Sequence, residues 1–247
     1  MDRMLYVSMS GAKEAMMSQA NNANNLANAT TDGFKQDFNQ FRAQHMEGPG
    51  WHTRTYSMDE RPATDFSAGP IKVTGRPMDV ATKENGYMAI LTPAGDEAYI
   101  RSSSMQITAE GALVDVHGNP MLNEGGAPIV LPPVDAMEVG TDGTISVILA
   151  GAPANELVVI DQLRLVEPDH RQLEKGLDGF IRQKPGNEDL EQAPIRVVSG
   201  ALEGSNVNTA QALVTMIELT RKYEMQVKMM KTSKDHGAAS DKILSIR

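Results

Sequence analysis

The first 28 residues place apolar and small side chains at alternating intervals of four and three positions. This spacing is the heptad repeat of a helix that packs lengthwise on a partner helix. Turn-forming residues from Thr30 to Gly33 predict that the helix ends near Asn28. We therefore predict a helix of about 25 residues, roughly 37 Å long. Its predicted stripe comprises Leu5, Met9, Ala12, Met16, Gln19, Ala23 and Leu26.

The last 43 residues show the same repeat. Asn206 or Asn208 is the predicted N-cap, because a short polar side chain accepts a bond from a free helical N–H. Gly237 is predicted to end or kink this second helix before a final amphipathic stretch. Its predicted stripe comprises Leu213, Met216, Thr220, Tyr223, Val227, Met230 and Lys234.

The two terminal helices are predicted to pair with each other as a coiled coil, since neither has a neighbouring helix in sequence. Periodicity alone equally allows two ordinary helices packed on a globular core. A single pair of helices is marginal in isolation, so neighbouring copies are expected to stabilise it. We therefore predict that the two stripes form an assembly interface between subunits.

The middle of the chain carries short β-prone runs separated by turn residues, which is typical of an all-β barrel or sandwich. The fold class is thus α+β. The predicted division has three parts: a helical domain of residues 1–30 and 205–247, an extended connector of 31–74 and 184–204 that contains Trp51, and a β domain of 75–183. The predicted strands are 78–81, 87–91, 97–102, 105–108, 112–116, 136–139, 144–149, 157–160 and 163–166.

Composition narrows the classes of function. The net charge of -9 argues against nucleic acid as the main partner, because binding to a duplex needs clustered basic side chains. The absence of cysteine excludes disulfides and thiolate chemistry. No apolar run approaches the length of a membrane span, and the N-terminus lacks the continuous apolar segment of a secretory signal. We expect no transmembrane segment.

Motifs of catalysis are also missing. The sequence contains no phosphate-binding loop, dinucleotide fingerprint, zinc-protease motif or nucleophile elbow. Asp115 and His117 flank a Gly-Asn-Pro turn, and Glu188 and Asp189 follow a Pro-Gly-Asn stretch that predicts a solvated loop. We predict no catalytic, cofactor-binding or metal site and no small-molecule substrate.

Six stretches together carry a family resemblance. The first is NNLANATTDGFK at 24–35, in which Asn24, Asn25, Leu26, Asn28, Gly33 and Phe34 are the key positions. Asparagines and threonines end a helix there, and Gly33 supplies a permissive turn. The others are TGRPMDVA at 74–81, GYMAI at 86–90, GDEAYIR at 95–101, LVDVHGNPM at 113–121 and EGSNV at 203–207. In this order they resemble the flagellar basal-body rod and hook protein family.

The resemblance implies a structural subunit of the bacterial flagellum, and the opening residues look most like a proximal rod member. Such a subunit would leave through the flagellar type III export apparatus. It would assemble helically with copies of itself and other rod proteins into a drive shaft spanning the periplasm. The alternatives are a distal rod protein of the same family, a periplasmic binding module with a coiled-coil anchor, or a soluble coiled-coil adaptor.

Overall fold

A computed structural model shows an α+β chain with an N-terminal helix, a β-rich middle and a C-terminal helix. The chain divides into two compact units. The first comprises Met1–Ala29, Gln36–Asp65 and Val207–Arg247, and the second comprises Thr30–Lys35 and Phe66–Asn206. The structure describes residues 3–45, 55–59, 63–153, 156–176, 178–187 and 190–245.

The three-part division predicted from the sequence stays a prediction. Residues of the predicted connector are shared between the units, with 36–65 in the first and 31–35, 66–74 and 184–204 in the second. Trp51 of that connector lies outside the described residues, as do Glu188 and Asp189 of the predicted solvated loop.

Helix α1 spans Arg3–Ala27 and helix α2 spans Thr209–Ser245. The predicted end of the first helix is confirmed to within one residue. Asn208 is confirmed as the cap of α2, because its Oδ1 accepts a bond from Gln211 N at 3.1 Å. The predicted end of the helix at Gly237 is wrong, since α2 continues to Ser245, whereas a kink there stays a prediction. One glycine in a helix costs only about 1 kcal/mol, which the surrounding helical turns overcome.

The two helices pack against each other in antiparallel directions. Gly11 lies beside Gln226, and the Lys222 ammonium lies 3.1 Å from the Glu14 carboxylate. The Asn22 amide donates to the Ala212 carbonyl at 2.8 Å. Rising residue numbers on α1 therefore match falling numbers on α2, so the N-terminal and C-terminal helices lie side by side within one unit.

Among its described residues, the first unit also contains four short strands. They form two antiparallel pairs, β1 with β4 and β2 with β3. All five residues of β2 are exposed, so its pairing with β3 is not accompanied by a buried apolar side of the strand. The sequence-based prediction of an extended connector missed these pairings for that reason. The strands are β1 Asp37–Phe38, β2 Phe41–His45, β3 Thr55–Asp59 and β4 Ala63–Thr64.

The second unit consists of fifteen strands in the part of the chain that the structure describes, with one 3₁₀ turn at His170–Gln172. They are β5 Ile71–Val73, β6 Asp79–Thr82, β7 Tyr87–Leu91, β8 Glu97–Ile100, β9 Ser102–Ser104, β10 Gln106–Ile107, β11 Leu113–Val114, β12 Val134–Val139, β13 Thr144–Leu149, β14 Val158–Gln162, β15 Leu165–Val166, β16 Leu173–Lys175, β17 Ile181–Gln183, β18 Val197–Ser199 and β19 Ala201–Glu203.

All strand pairs of this unit are antiparallel. The largest sheet has the order β15-β7-β8-β17-β16; two three-stranded sheets, β12-β13-β14 and β18-β6-β9, and the pairs β10-β11 and β19-β5 accompany it. The described strands therefore form separate sheets, and the prediction of a barrel is wrong. A closed barrel needs one continuous ladder of pairing, which turn spacing cannot reveal.

The predicted strands agree closely with the observed ones, and β7 and β13 have the predicted bounds. The prediction missed β9, β16 and β17 of the β domain, and it treated β5, β18 and β19 as connector. The three serines of β9 have no strong β-propensity. Large apolar side chains fill the core of this unit. Those without any exposed surface include Met88, Ile90, Leu113, Met121, Ile129, Ile145, Val147 and Leu163.

Candidate functional site

Small residues form the contact between α1 and α2. Ser8, Ala12 and Ala15 are buried on α1, and Ala212 and Ser233 are buried on α2. A Cβ added to Gly11 would lie 2.9 Å from the Gln226 side chain. The helices are thus held together by short side chains that allow a close approach, with few large apolar groups between them.

The predicted stripes lie mostly outside this contact. Only Ala12 of the predicted set is buried. The exposed members include Met9 at 53%, Met16 at 66% and Leu213 at 51%. The prediction that Met9, Met16 and Leu213 lie in the contact between α1 and α2 is therefore wrong. Large apolar side chains mark a hydrophobic face of a helix, but they do not show which partner covers it. As an assembly interface these residues stay a prediction. Leu5, Gln19, Leu26, Met216 and Met230 are half-buried, whereas Ala23, Thr220, Tyr223, Val227 and Lys234 are exposed.

Helix geometry places both stripes on the same side of the pair. At about 100° per residue, each stripe is rotated from the contact face of its helix by roughly 60–80°, in the same sense along the chain. Two antiparallel helices turned this way both present the rotated face to one side. We call the exposed part of these stripes the open face. It comprises Met9, Met16 and Ala23 of α1 and Leu213, Thr220, Tyr223 and Val227 of α2.

The opposite side of the pair carries the β2–β3 hairpin. Thr55 and Ser57 of β3 line a groove of about 530 Å³ together with Val7 of α1 and Met229 of α2. Asn25, on the same side of α1, binds β1: its Nδ2 donates to the Asp37 carbonyl at 2.6 Å, and its Oδ1 accepts from Asp37 N at 3.0 Å. Within the described residues, the first unit therefore places strands on one side of its helix pair and exposes apolar side chains on the other.

The asparagines at the end of α1 have distinct structural roles. Asn25 imitates a peptide group and pairs with β1, as described above. Asn28 Nδ2 donates to the Asn24 carbonyl at 3.0 Å and closes the last helical turn. Asn22, just before the motif, binds the backbone of α2. The Asn-rich stretch thus ties α1 to two other elements of its unit, beyond the helix-ending role predicted from the sequence.

Gly33 and Phe34 also have defined partners in the second unit. Gly33 has a φ of +74°, which confirms the permissive turn, and its N–H donates to the Glu203 carbonyl at 2.7 Å. The Lys175 ammonium lies 4.0 Å from the centroid of the Phe34 ring and donates to the Lys35 carbonyl at 2.8 Å. This cation–π contact anchors the segment that follows α1.

Three charged side chains meet in the interior of the second unit. Glu203 Oε1 lies 2.6 Å from Lys35 Nζ, and Glu203 Oε2 lies 2.7 Å from Arg101 Nε. Each side chain is at most 2% exposed. Gly69 N donates to Glu203 Oε1 at 2.9 Å, and Lys35 Nζ donates to the Ser67 carbonyl at 2.7 Å. We call Lys35, Arg101 and Glu203 the ion cluster.

The ion cluster keeps Glu203 ionised despite its burial. Burial by itself would raise the pKa of Glu203, but hydrogen bonds from Lys35 and Gly69 and the charges of Lys35 and Arg101 outweigh it, so the pKa falls below its ordinary value. Arg101 makes further bonds to the carbonyls of Glu84 and Gly86, at 2.7 and 3.2 Å, and lies over the Tyr87 ring. Every charge in the cluster has several hydrogen-bonding partners.

Sequence reasoning missed the ion cluster, although a signal was present. Each member stands at one end of a family-like stretch: Lys35 ends NNLANATTDGFK, Arg101 ends GDEAYIR and Glu203 begins EGSNV. Charged residues at the ends of three separate motifs were a hint that they share a site. Since Lys35 and Glu203 are 168 residues apart, spacing could not show their contact.

The described residues offer no clear centre of chemistry. Among them, no group of three or more metal-ligating side chains could hold an ion. Asp115 is a turn residue as predicted, since its Oδ1 accepts from His117 N and Asn119 N, both at 2.8 Å. Neither α1 nor α2, over the described ranges, is apolar enough to cross a membrane.

Comparison with known proteins places the chain in a family. Residues 81–147 match the flagellar hook protein FlgE/F/G D1 domain, and residues 198–238 match the flagellar basal body rod FlgEFG protein C-terminal family. The chain is 36% identical to the flagellar basal-body rod protein FlgF of Escherichia coli K12 and 34% identical to FlgF of Salmonella typhimurium LT2, over 100% of each chain. FlgG of Buchnera aphidicola subsp. Schizaphis graminum is 30% identical over 93% of this chain and 95% of its own.

The chain therefore belongs to the flagellar basal-body rod protein family. It resembles the FlgF members of that family along their whole length. The predictions of a structural rod subunit and of a location in the basal-body rod are confirmed.

Proposed function

We propose that this chain is a subunit of the proximal rod, and that its open face is the surface on which neighbouring subunits pack. The exposure of Met9, Met16, Leu213 and Val227 on one side of the helix pair carries this proposal. Apolar surface along one side of a helix pair is typical of a site of protein–protein interaction.

A helix from a neighbouring subunit fits this surface best. The open face consists of two stripes that run side by side along α1 and α2, and both stripes keep heptad spacing. A third helix can pack its side chains between two such stripes as knobs into holes. Burial of one Leu, Met or Val side chain contributes about 1.5–3 kcal/mol. Several of them together would drive assembly, and the helices would then form a coiled coil.

The remaining features of the proposal follow from membership in the family. Copies of this chain and other flagellar rod proteins are the proposed partners, and the flagellar type III apparatus is the proposed exit route. The stacked subunits would form a helical shaft that transmits torque. The proposed part is structural, without turnover, nucleic acid or a bound cofactor. In the second unit we propose a sandwich-like packing of sheets, supported by one core that includes Val80 of β6, Ile90 of β7 and Ile145 of β13.

Two neighbouring positions on α2 test the open face. Leu213 and Val214 are equally exposed, at 51% and 50%, but lie about 100° apart around the helix. Leu213→Asp places a charge on the open face and should abolish assembly and swimming in soft agar. Val214→Asp places the same charge away from it and should retain most of the motility.

Both variants need a matched control for folding. Purified chains carrying either substitution should show the same thermal unfolding of the second unit, because each changed side chain is already in water. Normal motility of the Leu213→Asp strain, or an equal loss in both strains, contradicts the assignment of the open face.

The position within the rod needs a separate experiment. The opening residues favour the proximal rod, whereas the 30% identity to a FlgG leaves the distal rod as the second candidate. A small epitope tag within the exposed Gly151 turn, detected in isolated basal bodies by electron microscopy, measures the distance from the inner-membrane ring. Label at the distal end of the rod contradicts the proximal assignment.

A further inference from the structure

The chain passes between its two units four times, after Ala29, Lys35, Asp65 and Asn206. Residues next to the last three of these points lie close together inside the second unit. Lys35 and Glu203 belong to the ion cluster, and Ser67 accepts a hydrogen bond from Lys35 Nζ at 2.7 Å. The ion cluster is therefore where segments 33–35, 66–69 and 203–206 of the second unit meet.

Backbone hydrogen bonds join the same segments. The Gly33 N–H donates to the Glu203 carbonyl at 2.7 Å, and the Gly204 N–H donates to the Pro70 carbonyl at 2.8 Å. Asn206 Nδ2 donates to the Ser67 carbonyl at 3.3 Å. Each segment is thus bonded to the other two, directly or through the Glu203 side chain.

Close packing of backbone adds a steric requirement. A Cβ added to Gly69 would overlap the carbonyl of Gly204, and the neighbouring atom is backbone that cannot rotate away. Segments 66–69 and 203–206 can approach this closely only because residue 69 is glycine. Gly69 therefore permits the close approach of segments 66–69 and 203–206, and the ion cluster holds the same segments together through charge and hydrogen bonds.

Stability alone is a weak explanation for three buried charges. Desolvation offsets most of the attraction in a buried ion pair, and apolar replacements are often as stable. Directional partners, in contrast, allow only one arrangement. Glu203 bonds Lys35 and Arg101 through different oxygens, and Arg101 is itself fixed to the Gly86 carbonyl beside β7. A shift of any segment would leave a buried charge without its partner.

We propose that the ion cluster is a clasp that fixes the segments through which the chain enters and leaves the second unit. Lys35 and Glu203 are its positioning residues, and Arg101 attaches it to the β-sheet. In a rotating rod, force carried along the chain from the helices would enter the second unit through these segments, so the clasp would hold them stiffly. That consequence rests on the proposed function, whereas the clasp itself does not.

Amide hydrogen exchange on the purified full chain tests the clasp without reference to the rod. Glu203→Gln keeps the shape but removes the anion. It should speed exchange at Gly33, Gly69 and Gly204 by at least tenfold, while amides of β7 and β13 exchange as in the wild type. Asp32→Asn is the matched control. It removes the exposed Lys72–Asp32 ion pair, whose residues lie just outside segments 66–69 and 33–35. It should leave amide exchange at Gly33, Gly69 and Gly204 unchanged.

Two further variants keep the test decisive if Glu203→Gln fails to fold. Lys35→Met leaves a balanced Arg101–Glu203 pair and should give the same local pattern. Gly69→Ala changes no charge and should also reproduce it. Unchanged exchange in Lys35→Met, or an equal acceleration across β7 and β13 in both variants, would overturn the clasp.

A motility assay tests the proposed stiffness during rotation separately from the clasp itself. Cells with Lys35→Met should build rods and swim in dilute medium but slow more than the wild type as methylcellulose raises the load. Equal slowing of both strains would contradict the stiffness argument and leave the exchange result intact. An absence of the protein from wild-type basal bodies would instead count against the proposed function.

Discussion

The two units of the chain use apolar side chains in opposite ways. In the second unit the largest ones are sealed inside, as Met88 and Leu163 have no exposed surface. In the described helices of the first unit the fully buried positions are mostly Ala, Ser and Asn, whereas Met9, Met16, Leu213 and Ile217 are more than half exposed. The second unit thus completes its own core, and the first unit presents its apolar residues to something else.

This difference separates folding from assembly. A unit with a sealed core is stable whether or not neighbours are present, because its apolar area is already removed from water. A helix pair joined by small side chains gains little from such burial and depends on neighbours for the rest. A rod subunit divided in this way can stay monomeric before assembly and become rigid afterwards.

The same substitution in the two units gives the sharpest test. Met88→Ala opens a cavity in a sealed core and should lower the free energy of unfolding by about 2–5 kcal/mol. Met16→Ala removes a side chain that is 66% exposed and should change it by less than about 0.5 kcal/mol. Urea unfolding followed by circular dichroism measures both. Comparable losses would mean that the open face is covered in the isolated chain.

The ion cluster is a buried group of charged side chains in the same unit as the apolar core. Glu203→Gln leaves two buried cations without their anion and should cost about 3 kcal/mol at neutral pH. Asp32→Asn, in an ion pair whose side chains are 42–52% exposed, should cost less than about 0.5 kcal/mol. Thermal unfolding of the second unit measures the loss of stability in each variant. Equal losses would mean that burial does not increase the contribution of the ion cluster to stability.

The contribution of the Glu203 charge should depend on pH in a definite direction. Its pKa is lowered in the folded chain, so its contribution is present above the unfolded-state pKa, about 4.3 for glutamate, and is lost as pH falls through the lower folded-state value. The gap in stability between wild type and Glu203→Gln should therefore narrow in acid. A gap that stays constant from pH 7 to about pH 2 would contradict the lowered pKa.

Adjacent asparagines test how the first unit is held together without large apolar contacts. Asn25→Ala removes both hydrogen bonds of the buried Asn25 side chain to the Asp37 backbone, which should cost about 1–3 kcal/mol. Asn24→Ala changes an exposed side chain on the next position and should cost far less. Amide exchange along α1 reports both, and similar rates in the two variants would contradict the importance of Asn25.

The smallest effect is expected at Gly237. No atom outside its own part of the helix lies within 4 Å of an added Cβ, so alanine fits without strain. Gly237→Ala should stabilise the last turns of α2 by about 0.8 kcal/mol and slow their amide exchange. Faster exchange there would indicate that the glycine serves a contact that alanine disrupts.

Local patterns determined much of this fold. The end of α1, the cap at Asn208 and the bounds of β7 and β13 follow from residues close together in the chain. Local rules failed at β9, where β6 supplies the pairing that three serines do not favour by themselves. They failed again at Gly237, where the rest of the helix outweighs one poor residue.

By itself, the sequence determined the family, the two terminal helices and the β-rich middle, because motifs and periodicity are local properties. It also identified an apolar heptad stripe on each helix. Only the tertiary structure decided that α1 and α2 meet through the neighbouring face of small residues, since hydrophobicity marks a face without naming what covers it. The ion cluster likewise needed the tertiary structure, because three charges from distant parts of the chain become a site only when the fold buries them together.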